Sequence, residues 1–147
     1  MKWVVDASVA AKWLAPEPES ALADTLLGDE LIVPDLLFAE VANILWKKQQ
    51  RSEMTLAAAH FGARWLLQLP LAVHESAGLM TSALGLAARL RHPAYDCFYL
   101  ALAHRSGCAL VTADRRLVER MRAPDAADLV GRVVWLGDLG ARVRELP

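Results

Sequence analysis

The chain has 147 residues, a net charge of −1, 55% apolar and 22% charged side chains, enough for one sizeable core and too apolar for a disordered segment. Its longest uncharged run, Ser76–Ala88, is 13 residues, short of the about 20 that cross a bilayer. Asp6 interrupts the opening apolar stretch where a signal peptide would continue, so residues 1–147 are expected to form one cytoplasmic domain.

Trp3-Val4-Val5 reads as a buried strand that stops at Asp6, with a helix starting near Ser8. Glu19–Leu27 has helical character and stops at Gly28, and Leu31–Val33 is a second short strand ended by Pro34. Asp35–Gln50 predicts a long helix with Leu37, Val41, Ile44 and Leu45 inward, and Thr55–Leu69 another. Leu71–Val73 is a third candidate strand, followed by a helix over Ser76–Leu90 and one over Tyr95–Ser106 ended by Gly107. Ala109–Val111, a helix over Asp114–Met121, the strand Val133–Trp135 and a short terminal helix complete the series. Apolar strands this short, separated by helices, imply a mostly parallel sheet covered on both faces, a three-layer α/β/α sandwich.

Cys97 and Cys108 have neither zinc-ligand spacing nor a CxxC pattern and are expected to be reduced, buried thiols. The four histidines form no HxxxH or HExxH set and read as surface or core-edge residues. Charge is unevenly placed. Residues 1–75 carry 6 basic and 10 acidic side chains, whereas residues 76–147 carry 10 and 7, every basic one an arginine. Arginine is the better bidentate phosphate ligand, although a solvated helix face has the same composition.

Four carboxylates stand in apolar runs: Asp6 after Trp-Val-Val, Glu40 within Leu-Phe-Ala-Glu-Val-Ala, Asp96 before Cys-Phe-Tyr-Leu-Ala, and Asp114 after Leu-Val-Thr-Ala. Buried carboxylates need a partner or a metal. Asp6 and Asp114 end strands, and the carboxyl edge of a parallel sheet is where ligand sites form. A salt-bridge network with Lys12, Lys47 or Arg115 is one solution. The other is a hard divalent cation, because two carboxylates 4 Å apart repel by about 4 kcal/mol at an effective dielectric of 20. Oxygen ligands without His or Cys favour Mg²⁺ or Mn²⁺ and point to metal-assisted phosphodiester hydrolysis. Ser8 and Thr112 are placed to support the acids, and Asn43 shares the Glu40 face of its helix. Ser8 equally suits a helix cap, Thr112 an ordinary strand position and Asn43 a satisfied helix amide.

The segments Val-Val-Asp6-Ala-Ser8, Pro34-Asp-Leu-Leu-Phe-Ala-Glu40-Val-Ala-Asn43, Tyr95-Asp96-Cys-Phe-Tyr-Leu-Ala-Leu-Ala and Leu-Val-Thr112-Ala-Asp114 together resemble the PIN-domain nucleases. Their order and spacing are most similar to the VapC-type toxins of prokaryotic toxin–antitoxin pairs. The resemblance covers residues 2–136 and implies a Mg²⁺- or Mn²⁺-dependent endoribonuclease that hydrolyses RNA with a metal-activated water. It places Asp6, Glu40, Asp96 and Asp114 at the metal and implies a homodimer silenced by a cognate antitoxin protein. Some relatives carry a further acid after the last position, but here Arg115-Arg116-Leu117 follows, which favours one tightly held cation.

RNA binding at near-zero net charge must rest on local patches, with Lys47, Arg115 and Arg116 as candidates and plain solvation as the alternative. Trp13, Trp46 and Trp65 serve either the core or a partner surface, and the helices 35–50 and 55–69 could clamp an amphipathic partner helix. A metal-dependent phosphatase using Asp6 shares this fold class, but position 8 is Ser where a second Asp is wanted. A non-catalytic RNA- or protein-binding module of the same fold is the remaining alternative. Nucleotide-binding modules are disfavoured, since neither GxGxxG nor GxxxxGK[ST] occurs.

Overall fold

The computed structural model describes residues 1–143. Strand β1 (Lys2–Val5) leads into α1 (Ala7–Leu14), and α2 (Ser20–Thr25) precedes β2 (Glu30–Pro34). Helices α3 (Leu36–Gln50) and α4 (Leu56–Leu66) carry the chain to β3 (Ala72–His74). The second half runs through α5 (Met80–Leu90), α6 (Ala94–Ser106), β4 (Ala109–Thr112), α7 (Arg115–Arg120), β5 (Val133–Trp135) and α8 (Leu139–Val143).

The five strands are all parallel, in the order β3-β2-β1-β4-β5. Parallel neighbours need crossovers, and these are right-handed. The chain therefore steps outward from β1 to β3 with α1–α4 on one face and returns to β4 and β5 with α5–α7 on the other. Consistent with that, α1, α3 and α4 pack together, while α5 lies on α6 and α6 on β1, β2 and β4. This is the expected three-layer α/β/α sandwich. Val4, Val5, Val33, Leu110 and Val111 are fully buried, covered from both sides, so the central strands lack a polar face. Among the described residues no helix is long and apolar enough to cross a membrane.

Several element boundaries differ from the expected ones for local reasons. Helix α1 starts at Ala7 because Asp6 caps it, its side chain accepting the Val9 N–H at 3.1 Å, so Ser8 is not the cap. The helix expected over Ser76–Leu90 opens as a 3₁₀ turn, Ser76–Leu79, pinned where Asp35 accepts both the Ser76 N–H and hydroxyl. A second 3₁₀ turn, Leu26–Gly28, ends the helix expected over Glu19–Leu27. Thr55 caps α4, and Gly107 ends α6 at φ +66°, a conformation other residues resist.

Strand order reverses between β1 and β4, which opens a crevice at the carboxyl edge of the sheet. Helices α1, α3, α6 and α7 all begin at that edge. Their caps and first two turns carry the four acids singled out in the sequence.

Candidate active site

Asp6 is the most constrained of the four. It is 5% exposed, and both oxygens are held by neutral donors. Oδ1 accepts from the Ser8 hydroxyl and the Val9 N–H, and Oδ2 accepts from the Thr112 hydroxyl. Ser8 in turn accepts the Ala113 N–H at 2.9 Å, and Thr112 accepts the Asp114 N–H at 3.0 Å. Two hydroxyls thus tie the end of β1 to the end of β4. Burial raises the Asp6 carboxyl from 3.8 to about 6, with the nearby Asp96 adding to the rise and the three hydrogen bonds opposing it.

Glu40 and Asp96 approach the same place from opposite layers. The buried Tyr99 hydroxyl donates to Glu40 Oε1 at 2.7 Å, joining α6 to α3. Burial raises the Glu40 carboxyl, as does the charge of Asp96, while Tyr99 opposes the shift. Burial and the charges of Glu40, Asp6 and Asp96 push the Tyr99 phenol far above its ordinary range, so it stays a donor. Asp96 is half-buried and its Oδ2 lies 2.6 Å from His92 Nε2. Cys97, next in sequence, is buried and its thiol is pushed up to about 11 by burial and by Asp96; Cys108 is half-buried, and both are free thiols.

Asp114 sits at the same edge in another role. It caps α7, accepting the Arg116 N–H at 2.9 Å, and connects to Asp6 through Thr112. Asn43 is exposed and shares with Glu40, Leu36, Ala39 and Tyr95 a cleft of about 370 Å³.

The expected salt-bridge partners are engaged elsewhere or lie apart. Lys12 pairs with Glu17 and Glu19. Lys47 is exposed on α3, and the Arg115 guanidinium stacks 3.8 Å from the centroid of Trp135. Among the described residues no lysine or arginine side-chain nitrogen comes within 4 Å of a carboxylate oxygen of Asp6, Glu40, Asp96 or Asp114.

This donor set fits a hard divalent cation in its chemistry: anionic oxygens, no lysine or arginine side chain paired with them among the described residues, His92 on one oxygen of Asp96, and coordinating atoms left over. Glu40 Oε2 and Asp96 Oδ1 accept no hydrogen bond from the described residues. It is not a closed cage, since among the described residues no three His, Cys, Asp or Glu side chains stand close enough to grip an ion as they are. Water must therefore complete any coordination sphere, as is usual for Mg²⁺.

Tyr99 and His92 are contributors that the sequence pattern does not single out. Tyr99 lies within the Tyr95–Ala103 segment, where a lone phenol is indistinguishable from a core aromatic. His92 stands four residues before Asp96, a spacing that could have served as a signal.

Away from the acids, α3 and α4 leave an apolar groove of about 190 Å³ lined by Leu45, Trp46, Leu56 and Ala59 among others. Trp46 is 56% exposed there, whereas Trp13 and Trp65 are half-buried and Trp13 donates to the Ala23 carbonyl.

The family model for the PIN domain matches residues 3–123. Ribonuclease VapC3 of Pyrobaculum aerophilum is 37% identical over 127 residues, which span 84% of this chain and 97% of that protein. The crystal structure of PAE2754 from Pyrobaculum aerophilum has a TM-score of 0.73 at 24% identity, covering 99% of this chain and 91% of that one. VapBC2 from Rickettsia felis, solved bound to a DNA fragment from their promoter, gives 0.62 at 12% identity, covering 92% and 98%. At those identities the two structures speak for the fold alone. With the family model over most of its length and a relative above 30% identity along nearly all of that relative, this chain belongs to the PIN-domain family, among its VapC-type proteins.

Proposed function

We propose that this chain is the toxin of a type II toxin–antitoxin pair, a Mg²⁺- or Mn²⁺-dependent endoribonuclease. One observation carries the reading: Asp6, Glu40 and Asp96, from three elements, crowd one edge of the sheet without a lysine or arginine among them. Such an arrangement is costly for the protein alone and asks for positive charge from outside.

Asp6, Glu40, Asp96 and Asp114 would hold the cation. Bound there, it would supply Lewis acidity toward a phosphoryl oxygen and lower the pKa of a water. The chain's own residues do the rest. Ser8 and Thr112 fix both oxygens of Asp6, Tyr99 fixes one of Glu40, and each of these donors is neutral and leaves the negative charge in place. Asn43 lines the open cleft beside Glu40 and is proposed to meet the substrate strand there. Arg115, Arg116 and Lys47, all exposed, are proposed to meet RNA phosphates around the rim.

The antitoxin is the proposed partner of the α3–α4 groove, an apolar channel with an exposed tryptophan suited to an amphipathic segment. A fold neighbour solved as VapBC2, bound to a DNA fragment from their promoter, is in keeping with a partner protein, and its seat in this groove is part of the proposal. A homodimer, a cytoplasmic location and a single domain over residues 1–147 complete the proposal.

The test uses the purified protein with structured RNA and with a phosphomonoester, each in Mg²⁺, Mn²⁺ or EDTA. RNA cleavage that needs the metal and is lost in Asp6→Asn and Asp96→Asn is expected. Turnover of the phosphomonoester alone would make the protein a phosphatase, and RNA or peptide binding without either activity would make it a binding module.

A further inference from the structure

Beside Asp96 at the carboxyl edge of the sheet stands a basic side chain that the proposed chemistry leaves without a task. His92 lies in the turn between α5 and α6, four residues before Asp96, and its Nε2 is 2.6 Å from Asp96 Oδ2. It is not part of a helix, so this is not an ordinary surface pair along one helical face.

The turn is built to hold the ring. Arg91 adopts the left-handed conformation, φ +50°, and ends α5. The His92 N–H then donates to the Ala87 carbonyl at 3.3 Å, and Pro93 follows directly to open α6. A residue before proline is confined to extended backbone, so His92 is restrained from both sides. Its side chain is 13% exposed against 27% for Asp96, which shields the contact from water.

One oxygen of Asp96 is thereby taken, and the other accepts no hydrogen bond among the described residues. The charge of Asp96 is felt by both Asp6 and Glu40, so it lies near each of them. A carboxylate in the first turn of a helix has rotamers that point outward into solvent. A donor fixed by its own backbone turn removes that freedom.

We propose that His92 is a positioning residue: by donating Nε2–H to Asp96 Oδ2 it holds Oδ1 in place for a divalent cation shared with Asp6 and Glu40. The inference rests on the metal-dependent reading and names the group that orders its central ligand. Outer partners of metal ligands typically contribute about 10–100-fold in affinity.

The experiment measures Mn²⁺ binding to the full chain by titration calorimetry, together with melting temperature in EDTA, for wild type, His92→Ala, His92→Gln and His92→Asn. His92→Ala is expected to weaken Mn²⁺ binding about tenfold with an unchanged melting temperature in EDTA. Glutamine offers an amide donor near the Nε2 position and is expected to restore most of that loss, whereas asparagine is too short to do so. Adding His92→Ala to Asp96→Asn should cost nothing further. Binding within twofold of wild type in His92→Ala, or equal losses in the glutamine and asparagine variants, would overturn the proposal. The glutamine–asparagine comparison decides the matter even where the alanine variant does not fold. If the wild type itself binds no Mn²⁺, the metal-dependent reading fails, and this inference with it.

Discussion

Two clusters of shielded carboxylates in this molecule have opposite solutions to the same problem. Glu17, in the turn after α1, receives hydrogen bonds from both Lys12 and Lys48, and Lys12 also reaches Glu19 at 3.4 Å. Burial pushes the Glu17 carboxyl up, but the two lysines outweigh it and leave the group below its ordinary range. Asp6 and Glu40 have only hydroxyls, a phenol and a backbone N–H, and both end above theirs. The first cluster is electrically complete and fastens α1 to α3. The second is held in shape without being neutralised by a lysine or arginine, which is the condition that the proposed cation site requires.

The comparison breaks first on activity. Asp96→Asn keeps the size of the side chain and removes its charge. RNA cleavage in Mn²⁺ is expected to fall by at least about a thousandfold, as it does when one member of a catalytic unit is removed. Glu17→Gln in the same assay is expected to cleave at the wild-type rate. Equal losses would mean that the two clusters do not differ in kind.

A second prediction concerns the cost of the uncompensated charge. The folded Asp6 carboxyl sits near 6 against 3.8 for its ordinary value, so the folded state binds the proton more tightly. Stability from this group is therefore complete below about pH 4, declines as pH rises through about 6, and is flat above that. The rise from 3.8 to about 6 corresponds to about 3 kcal/mol at most. Asp6→Asn never ionises, and Thr112 can turn its hydroxyl to accept from the amide. The variant is expected to be about 1–3 kcal/mol more stable than wild type at pH 7 in EDTA and no more stable below pH 4. Denaturant unfolding across that range checks it. With Mn²⁺ added the order should narrow or reverse, because only the wild type gains from binding.

Glu17→Gln sharpens the other half. The Lys12 and Lys48 side chains are 9% and 14% exposed, and both would lose their main anion. A destabilisation of about 2 kcal/mol is expected, between the values for exposed and for fully buried pairs. Unlike the effect at Asp6, it should persist from pH 6 to pH 8.

How much of this is legible in the sequence follows from the same contrast. The uninterrupted runs Trp3–Val5, Leu31–Val33 and Ala109–Val111 announce strands covered on both faces, since no polar alternation relieves them. A carboxylate within or at the end of such a run is conspicuous, so Asp6, Glu40, Asp96 and Asp114 stand out from the order of residues alone. Ser8 and Thr112 are legible beside Asp6 and Asp114 as supporting hydroxyls, and both reach Asp6, Thr112 across 106 residues. What orients Glu40 and Asp96 is not legible in the same way. Tyr99 meets Glu40 across 59 residues, and a phenol in an apolar segment looks like a packing residue until its partner is known. The Glu17 cluster is hidden for the opposite reason: its glutamate and lysines lie in polar surroundings, where charge raises no question. His92 is readable from its spacing to Asp96 but resembles any histidine in a turn.

Arg115 supplies the finest distinction between the clusters. Lys12 and Lys48 spend their charge on Glu17, but Arg115 rests on the face of Trp135 and pairs with no carboxylate among the described residues. The indole is itself held in place, because Trp135 pairs with Thr112 across the sheet and packs so closely on Gly137 that a Cβ there would lie 2.3 Å from the ring. A guanidinium stacked on an aromatic face keeps its N–H edge directed outward and its charge unspent. On the proposed reading Arg115, beside Asp114, would be a preset contact for an RNA phosphate. Arg115→Ala is expected to weaken RNA binding a few-fold and to lower the slope of log affinity against log salt by about one. Trp135→Leu retains the charge and loosens its placement, so affinity should fall less while the slope stays near that of wild type. Filter binding between about 50 and 200 mM salt separates the two, and a slope unchanged in Arg115→Ala would remove this residue from the RNA path.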